Sequence, residues 1–536
     1  MIKVLSVDNM RRSDAHTIET AVSGRELMLR AGRAVADNVE WKPPVAVVCG
    51  SGNNAGDGYV IAGLLHDRGI ECALYLLEER FSQDGRYYFE KCMEKGIPCS
   101  VLCAGETVKT DELLKQYSTI VDCIFGTGFH GEIKGNVRSV IEAVNASGAY
   151  VVSVDINSGL NGDSGMAAFT DSEPDAECGG SDKDQTKRAR LCVHSDLTVS
   201  IGSYKPGHYL NMAKDVMKSK INCPIGIEPV DKPYCLLEDT DLKPFFTKRP
   251  EFSNKGSYGY IALIGGSERY SGAIRLAYMA NAAMRSGAGV VKVAVPASLY
   301  EIIASNVLES TLFPLSDENG GVRFVESEFS ELIRNTRTLA FGMGIGVTAD
   351  TSVALAYLLK NYTGRMIVDA DGLTLLANMD KTLIKNTKAQ LILTPHIKEF
   401  SRLTNRSTDE IIAAPVETAR SYALEYGVTV LLKGPATVIT DGDEVYITDA
   451  GCSGMATAGS GDVLSGILAA VCAYLPQEVE KQSGYNGHEL AFSVAAGAYI
   501  NGKAGELAQE RNGSISMIAS DTVSFTQEVI ASLERA

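Results

Sequence analysis

Asp462 ends the run Gly451-Cys452-Ser453-Gly454-Met455-Ala456-Thr457-Ala458-Gly459-Ser460-Gly461-Asp462, and the apolar VLSGILAAVCAYL follows it. A loop of small residues opening a long helix aims backbone N–H groups and the helix dipole at one spot, and here a carboxylate stands beside that spot. An anion cradle next to a base is the apparatus for activating a hydroxyl against a phosphoryl group. Asp462 taken alone is equally an ordinary helix N-cap; the density of small residues before it favours the anion site. Upstream, Lys433-Gly434-Pro435-Ala436-Thr437 follows the buried strand pattern VTVLL, where a lysine at a strand end suits a nucleotide phosphate. It precedes TVITDGDEVYIT, a hairpin with Asp441-Gly442 as its turn. Thr394-Pro395-His396-Ile397-Lys398-Glu399, Gly342-Met343-Gly344-Ile345-Gly346 and Gly265-Gly266-Ser267 are further loops at strand ends, and a lone His396 there is more often structural than chemical.

The first half carries a second constellation. The strand pattern Val45 to Cys49 leads into Gly50-Ser51-Gly52-Asn53-Asn54-Ala55-Gly56-Asp57-Gly58 and a helical YVIAGLLHDRG. Glycines at a strand-to-helix turn let the backbone approach a ligand, but they also occur as plain turn chemistry. The side chains of Asn53, Asn54 and Asp57 exceed what a turn requires. Asp122 interrupts an apolar run before Gly126-Thr127-Gly128-Phe129-His130-Gly131-Glu132, and Asp155-Ile156-Asn157-Ser158-Gly159 ends the next apolar run. In an open parallel sheet, ligands bind at the carboxyl ends of the strands, so Asn54, Asp122, Asp155 and Ser158 are expected to share one site.

Such loops need parallel strands to hold them. Apolar runs of strand length alternate with segments of helical period, the pattern of an α/β chain with helices on both faces of its sheets. Strands are expected at Val45 to Cys49, Ala73 to Leu77, Ile120 to Phe125, Tyr150 to Ile156 and Leu197 to Ile201. A second series is expected at Tyr260 to Ile264, Val290 to Val295, Thr338 to Phe341, Met366 to Val368, Leu391 to Leu393 and Val428 to Leu432. The proline-containing stretch between the two series predicts a first domain over 1–232, a linker over 233–250 and a second domain over 251–536. A polar insertion is expected at about 163–190 in the first domain.

Composition bounds the function. With 536 residues, 45% hydrophobic, 22% charged and 52 glycines, the chain has the balance of an α/β enzyme of more than one domain. A formal net charge of −16 argues against nucleic acid or an anionic membrane surface as partner. The N-terminal sequence lacks a signal-peptide core and no run reaches the roughly 18 consecutive apolar residues of a membrane helix, so a cytoplasmic location is expected. The twelve scattered cysteines, without a C-x-x-C pair, fit reduced thiols.

The series GSGNNAGDG, VDCIFGTGFHGE and VDINSGLNGD, within a stretch from ELMLRAG at Glu26 to SDLTVSIGSYKPGH around Lys205, resembles the NAD(P)H-hydrate epimerase family over nearly the whole first half. The resemblance implies a Rossmann-like α/β/α sandwich. It also implies that Asn53, Asn54, Ala55, Gly56 and Asp57, with Gly126, Thr127, Gly128, Phe129, His130, Gly131 and Glu132, bind hydrated NADH or NADPH. Asp155 would stand beside the reacting ring as catalytic acid and base, and Asn54, Asp122 and Ser158 would ligate K+. Ala55 replaces a glycine usual in the family, and the insertion is longer than usual.

RYSGAIRLA (Arg269 to Ala277), GMGIG, VDADGL, TPH and GMATAGSGDVLSG, in that order, resemble the ADP-dependent NAD(P)H-hydrate dehydratase branch of the ribokinase-like α/β/α fold. That resemblance implies that Ala273, Gly346, His396 and Asp462 contact the hydrated nucleotide. Lys433, Gly434, Pro435, Ala436, Thr437 and Gly461 would bind ADP, which arrives with Mg2+, and Asp462 would take the hydroxyl proton. Cys452-Ser453 and Ile397-Lys398 depart from the family's usual Asn-Pro or Asn-Ala and Pro-Gly. Together the two resemblances imply one repair enzyme that epimerises and then dehydrates damaged cofactor, acting on small molecules and assembling as a homo-oligomer. The alternative is a ribokinase-type small-molecule kinase fused to a non-catalytic nucleotide-binding module, and ADP against ATP stays open.

Overall fold

The computed structural model describes residues 1–102, 107–170, 189–279, 282–305, 307–481, 485 and 487–534. It divides into two compact units, one of Lys3–Pro233 and one of Tyr234–Ala536 together with Met1–Ile2.

In the first unit seven parallel strands lie in the order Lys220–Cys223, Leu197–Ile201, Tyr150–Val154, Thr119–Cys123, Val45–Cys49, Cys72–Leu76, Cys99–Val101. Each side of the sheet has its own core because successive side chains of a strand point to opposite faces. Val45, Val47 and Cys49 pack in one cluster with Leu27, Val35, Tyr59 and Leu65 of the helices Gly24–Asn38 and Asn53–Asp67. Ala46 and Val48 pack in the other with Val140, Ile141 and Val144 of the helix Gly135–Ala146. Burial on both faces is why Val45–Cys49 reads as an unbroken apolar run rather than an alternating one, and each fully buried Val or Leu contributes about 1.5–3 kcal/mol. This is the expected α/β/α sandwich. The winding reverses between Val45–Cys49 and Thr119–Cys123, and at such a switch point the loops leaving the carboxyl ends part to leave a crevice. Gly50 marks how closely the two turns meet: a Cβ there would lie 2.1 Å from the Ile124 carbonyl oxygen.

The second unit's sheet runs Tyr234–Leu236, Val445–Thr448, Thr437–Thr440, Thr429–Leu432, Gln390–Leu393, Arg365–Val368, Thr338–Met343, Tyr260–Gly265, Val290–Pro296, Thr311–Leu315. It is parallel except where Thr437–Thr440 pairs antiparallel with both its neighbours, which includes the expected hairpin. Ile261, Val293, Ala340, Ile367, Ile392 and Leu431 pack against the helix Ser460–Glu480, whose residues Val463 to Ala473 are buried. That helix is long and apolar enough to cross a membrane, but 78% of its apolar window is buried inside the unit. A helix apolar on all sides, enclosed in this way, is the core of a large domain.

The seam differs from expectation. Residues 233–250 form no linker: Tyr234–Leu236 adds a parallel strand beside Val445–Thr448, and Leu237, Leu242, Phe245 and Phe246 enter the second core. Of the prolines that suggested a linker, Pro244 sits inside the short helix Lys243–Phe245, whose Phe245 enters the core. The strands Cys99–Val101, Lys220–Cys223 and Thr311–Leu315 were not expected; each ends one of the sheets, where half-exposed residues blur the apolar signal. Of the polar insertion, residues 171–188 lie outside the described residues, and its flanks Ala168–Phe169 and Arg190–Leu191 pair antiparallel. No disulfide joins the described cysteines.

Candidate active sites

In the first unit a cavity of about 630 Å3 opens at the switch point. Asn53, Asn54 and Asp57 line it from the start of the helix Asn53–Asp67, Gly126 to His130 from the loop after Thr119–Cys123, and Asp155 from the loop after Tyr150–Val154. The three loops touch: a Cβ on Gly126 would stand 3.4 Å from Asn54 Cβ and 3.7 Å from Asp155 Oδ2. Phe129 stacks on Phe125 with ring centroids 4.1 Å apart, which presents a flat aromatic wall. Ala55, Gly56, Gly131 and Glu132 do not line the cavity. Ala55 is buried in the helix without positive φ, which explains why it can replace a glycine, and Glu132 pairs outward with Lys134.

Asp155 sits at φ 65°, a conformation that costs a non-glycine residue about 1–3 kcal/mol and is kept only where its surroundings enforce it. Here His208 enforces it. Nδ1 of His208 accepts from the Lys205 backbone N–H at 3.0 Å, so Nε2 carries the hydrogen and donates to the Asp155 carbonyl at 2.8 Å. Burial, then the Lys205 ammonium, pushes the His208 pKa down to about 4, which keeps that tautomer neutral. The Asp155 carboxylate is ion-paired with Lys205, itself 1% exposed and also donating to the Ile201 carbonyl at 2.9 Å. Burial disfavours the charged Asp155, but Lys205 outweighs it and the pKa is lowered. Asp57 goes the other way: burial, then the negative charges of Asp155 and Asp14, raise its pKa well above the ordinary value, and no described group hydrogen-bonds its carboxyl. One cavity therefore drives two carboxyls apart, with Asp155 pushed toward the ionised form and Asp57 toward the protonated one. Lys205, His208 and Asp14 join the site without having been expected there. The sequence signal for the first two is Ser-Tyr-Lys-Pro-Gly-His, with charged groups directly after a buried strand.

Behind the cavity, Asp122 accepts from Ser158 Oγ, from Ser158 N and Ser153 Oγ, both at 2.9 Å, and from Ile124 N at 3.2 Å. Burial raises its pKa in spite of these donors. Asn54 Nδ2 donates to the Phe125 carbonyl at 2.9 Å while Asn54 Oδ1 is buried with no partner. An orphaned amide oxygen beside a buried carboxylate, a hydroxyl and a carbonyl is a donor set of the kind a large monovalent cation takes, so the expected ligands fit K+.

In the second unit Asp462 lies in the first turn of Ser460–Glu480, entered through Gly459 at φ 91°. Lys433 Nζ pairs with Asp369 Oδ1 at 2.9 Å and Glu399 Oε2 at 3.9 Å, and a Cβ on Gly461 would lie 3.4 Å from both Lys433 Nζ and Asp369 Oδ2. Burial works against the Lys433 ammonium, yet Asp369 and Glu399 hold its pKa above the ordinary lysine value. Burial, then the Asp369 charge, pushes Asp462 up to about 7, with Lys433 acting against the rise and Asp371 with it. Gly346, at φ 84°, donates its N–H to Asp371 at 2.9 Å and faces open space. Gly344 approaches Ala273 closely, a Cβ there lying 2.9 Å from the Ala273 Cβ, so the expected substrate residues Ala273 and Gly346 share one rim. Gly434 and Pro435 are exposed, and Thr437 begins the hairpin.

His396 caps the helix Ile397–Thr404: Nδ1 accepts from Lys398 N at 3.0 Å and Glu399 N at 3.3 Å, and Glu399 Oε2 accepts from His396 N at 2.9 Å. The structural reading of this histidine is thus realised, while its ring remains half exposed beside the site. Ile397-Lys398 continues that helix with the Lys398 side chain outward. Cys452 donates to the Gly505 carbonyl at 3.2 Å and Ser453 to Gln509 at 3.3 Å, anchoring the small-residue loop to the helix Glu489–Asn512. Nothing adjacent to Asp369 in VDADGL marks it as a site residue; the fold places it at the centre of the site, against Lys433, Ser465 and Gly461.

Comparison with known proteins agrees with this division. A family model described as NAD(P)H-hydrate dehydratase matches residues 261–528, and one described as YjeF-related protein N-terminus matches residues 24–207. A bifunctional NAD(P)H-hydrate repair enzyme of Thermofilum pendens is 30% identical, the match covering 99% of this chain and 97% of that protein. One of Moorella thermoacetica is 32% identical over 95% of this chain and 92% of that protein. Among solved structures, an ADP/ATP-dependent NAD(P)H-hydrate dehydratase of Bacillus subtilis, co-crystallised with ATP and Mg2+, is 22% identical with a TM-score of 0.47, covering 56% of this chain and 99% of that one. With both domain models present in order and relatives matched end to end, the chain belongs to the family of bifunctional NAD(P)H-hydrate repair enzymes.

Proposed function

We propose that the first unit interconverts the R and S epimers of hydrated NADH and NADPH, and that the second dehydrates the S epimer at the expense of ADP, giving AMP and phosphate. The observation that carries the reading is the matched acid–base equipment of the two sites: Asp57, favoured protonated by burial and neighbouring negative charge, with Asp155 favoured ionised by Lys205 in one, and Asp462 beside Lys433 in the other.

Epimerisation requires the ring hydroxyl to leave and return on the opposite face. Leaving as water needs a proton, which Asp57 holds, and the ring nitrogen's lone pair stabilises the cation left behind. Returning water must lose a proton, which the Asp155 carboxylate accepts. Phe129 offers a stacking surface for the ring. Asn54, Asp122, Ser158 and the Phe125 carbonyl would hold K+, whose positive charge would compensate the buried Asp122.

Dehydration at the second site follows from phosphorylating the same hydroxyl. Asp462 removes its proton, Lys433 holds the phosphates, and the N-terminal N–H groups of Ser460–Glu480 meet the negative charge that develops on the transferred group. Phosphate then departs as a good leaving group, with loss of a ring proton to restore the double bond. Magnesium comes with the nucleotide phosphates.

The test is recovery of NADH absorbance from a mixture of both epimers, with K+ present and ADP or ATP added separately. Complete recovery with ADP is the expected result. Recovery that stops at one epimer removes the epimerase; no recovery with either nucleotide removes the dehydratase and favours a small-molecule kinase in the second unit.

A further inference from the structure

Asp369 is 2% exposed, one residue past the strand Arg365–Val368, and both of its carboxylate oxygens are committed. Oδ1 takes the Lys433 ammonium at 2.9 Å and Oδ2 the Ser465 hydroxyl at 2.9 Å. Those two donors come from different motifs: Lys433 from the strand end that would carry nucleotide phosphate, Ser465 from the helix that carries Asp462 one turn earlier. Ala370, next in sequence, is at φ 48°, which turns the chain so that Asp371 caps the Gly346 N–H on the opposite rim.

We propose that Asp369 is a positioning residue of the second site, tying Lys433 to the N-terminal turns of the Asp462 helix so that phosphate-binding cation and base keep a fixed separation. The inference rests on the dehydratase reading given above and deepens it. A buried carboxylate in this place has two separable effects. It orients the lysine, and its negative charge opposes both the ionisation of Asp462 and the arrival of phosphate. The groups facing Asp462 are Asp369 and Asp371 from the loop after Arg365–Val368, and Lys433 from the loop after Thr429–Leu432. Glu399 and His396, from the start of Ile397–Thr404, in turn face Lys433. Removing the Asp369 charge therefore leaves Lys433 with Glu399 as its remaining carboxylate partner and a more acidic Asp462.

The experiment is the Asp369→Asn variant of the full chain, read by dehydration of the S hydrate against pH and by calorimetric titration with ADP. Three changes are expected together: kcat lower by about tenfold or more, an acid limb of the pH profile moved down by roughly one pH unit, and ADP bound as tightly as before or tighter. A lower kcat with weaker ADP binding and an unmoved acid limb means that Asp369 merely supports the fold there, and overturns the proposal; so does a variant indistinguishable from wild type. If Asp369→Asn does not fold, Ser465→Ala removes one tether at lower cost. A several-fold fall in kcat with ADP affinity within about twofold of wild type supports the proposal, and an unchanged kcat overturns it. Should the wild-type protein fail to dehydrate the hydrate at all, the functional reading falls, and ADP titration of Asp369→Asn then tests the tie by itself: tighter binding supports it, and weaker or unchanged binding overturns it.

Discussion

The two sites place a carboxylate at the carboxyl ends of parallel strands and a lysine beside it, yet they set the proton in opposite ways. In the first, Lys205 pairs directly with Asp155 and holds it ionised. In the second, the lysine is given to Asp369, and Asp462, without that direct partner, is pushed up to about 7. One cation per site is enough to decide which carboxyl stays charged and which is left to exchange a proton near neutrality. Both sites also keep one non-glycine residue in the left-handed region, Asp155 directly after Tyr150–Val154 and Ala370 two residues after Arg365–Val368.

The contrast can be broken first by exchanging amides for acids. Asp462→Asn is expected to lower dehydration by about 10²–10⁴-fold and leave epimerisation at its wild-type rate, with Asp155→Asn doing the reverse; progress curves on pure S and pure R hydrate separate the two. Equal losses in both reactions would refute independent sites. Next in size, Lys205→Met leaves Asp155 buried without its cation, a change of roughly 3–5 kcal/mol in stability. It should also move the acid limb of epimerisation to higher pH, because Asp155 then ionises later. Denaturant unfolding and pH profiles of the variant read both.

The pH profiles of the wild type sharpen the comparison further. A base must be ionised to act, so dehydration is expected to climb with rising pH through about 7, following Asp462. Epimerisation uses an Asp155 whose pKa is lowered and an Asp57 whose pKa is raised, so it should stay flat across the same interval. Coincident profiles would contradict the assigned proton states. The smallest effect concerns strain: Ala370→Gly relieves φ 48° and is expected to stabilise the protein by about 1 kcal/mol with little change in ADP binding, measured as a shift in the denaturant midpoint.

Much of this was legible in the chain. The strand Val45–Cys49 appears where an unbroken apolar run stands, because a strand buried on both faces can be apolar at every position, whereas Leu197–Ile201 alternates and its buried Thr198 and Ser200 hydroxyls donate to Asn157 and to the Ser203 carbonyl. Asn54 was visible as a side chain that turn chemistry does not require, Asp122, Asp155 and Ser158 only as polar residues converging at the carboxyl ends of neighbouring strands, and Asp462 as an acid after a run of small residues. Residues 233–250 misled because prolines and charges resemble a linker until Leu237, Leu242 and Phe245 are seen in the core. Lys205 and His208 were overlooked because a lysine and a histidine after a strand look like surface residues, and only the fold shows them to be 1% and 0% exposed.

Local pattern was thus sufficient for the strands, for the glycine-rich loops at their ends and for the family, since these depend on residues adjacent in the chain. Which lysine meets which carboxylate was not contained there. Lys205 reaches Asp155 across 50 positions and Lys433 reaches Asp369 across 64, and those pairings set the proton states. They arise only when parallel strands bring distant loops to one sheet edge and exclude water from the charges, because ionisation responds to burial and to neighbours through space rather than to order along the backbone.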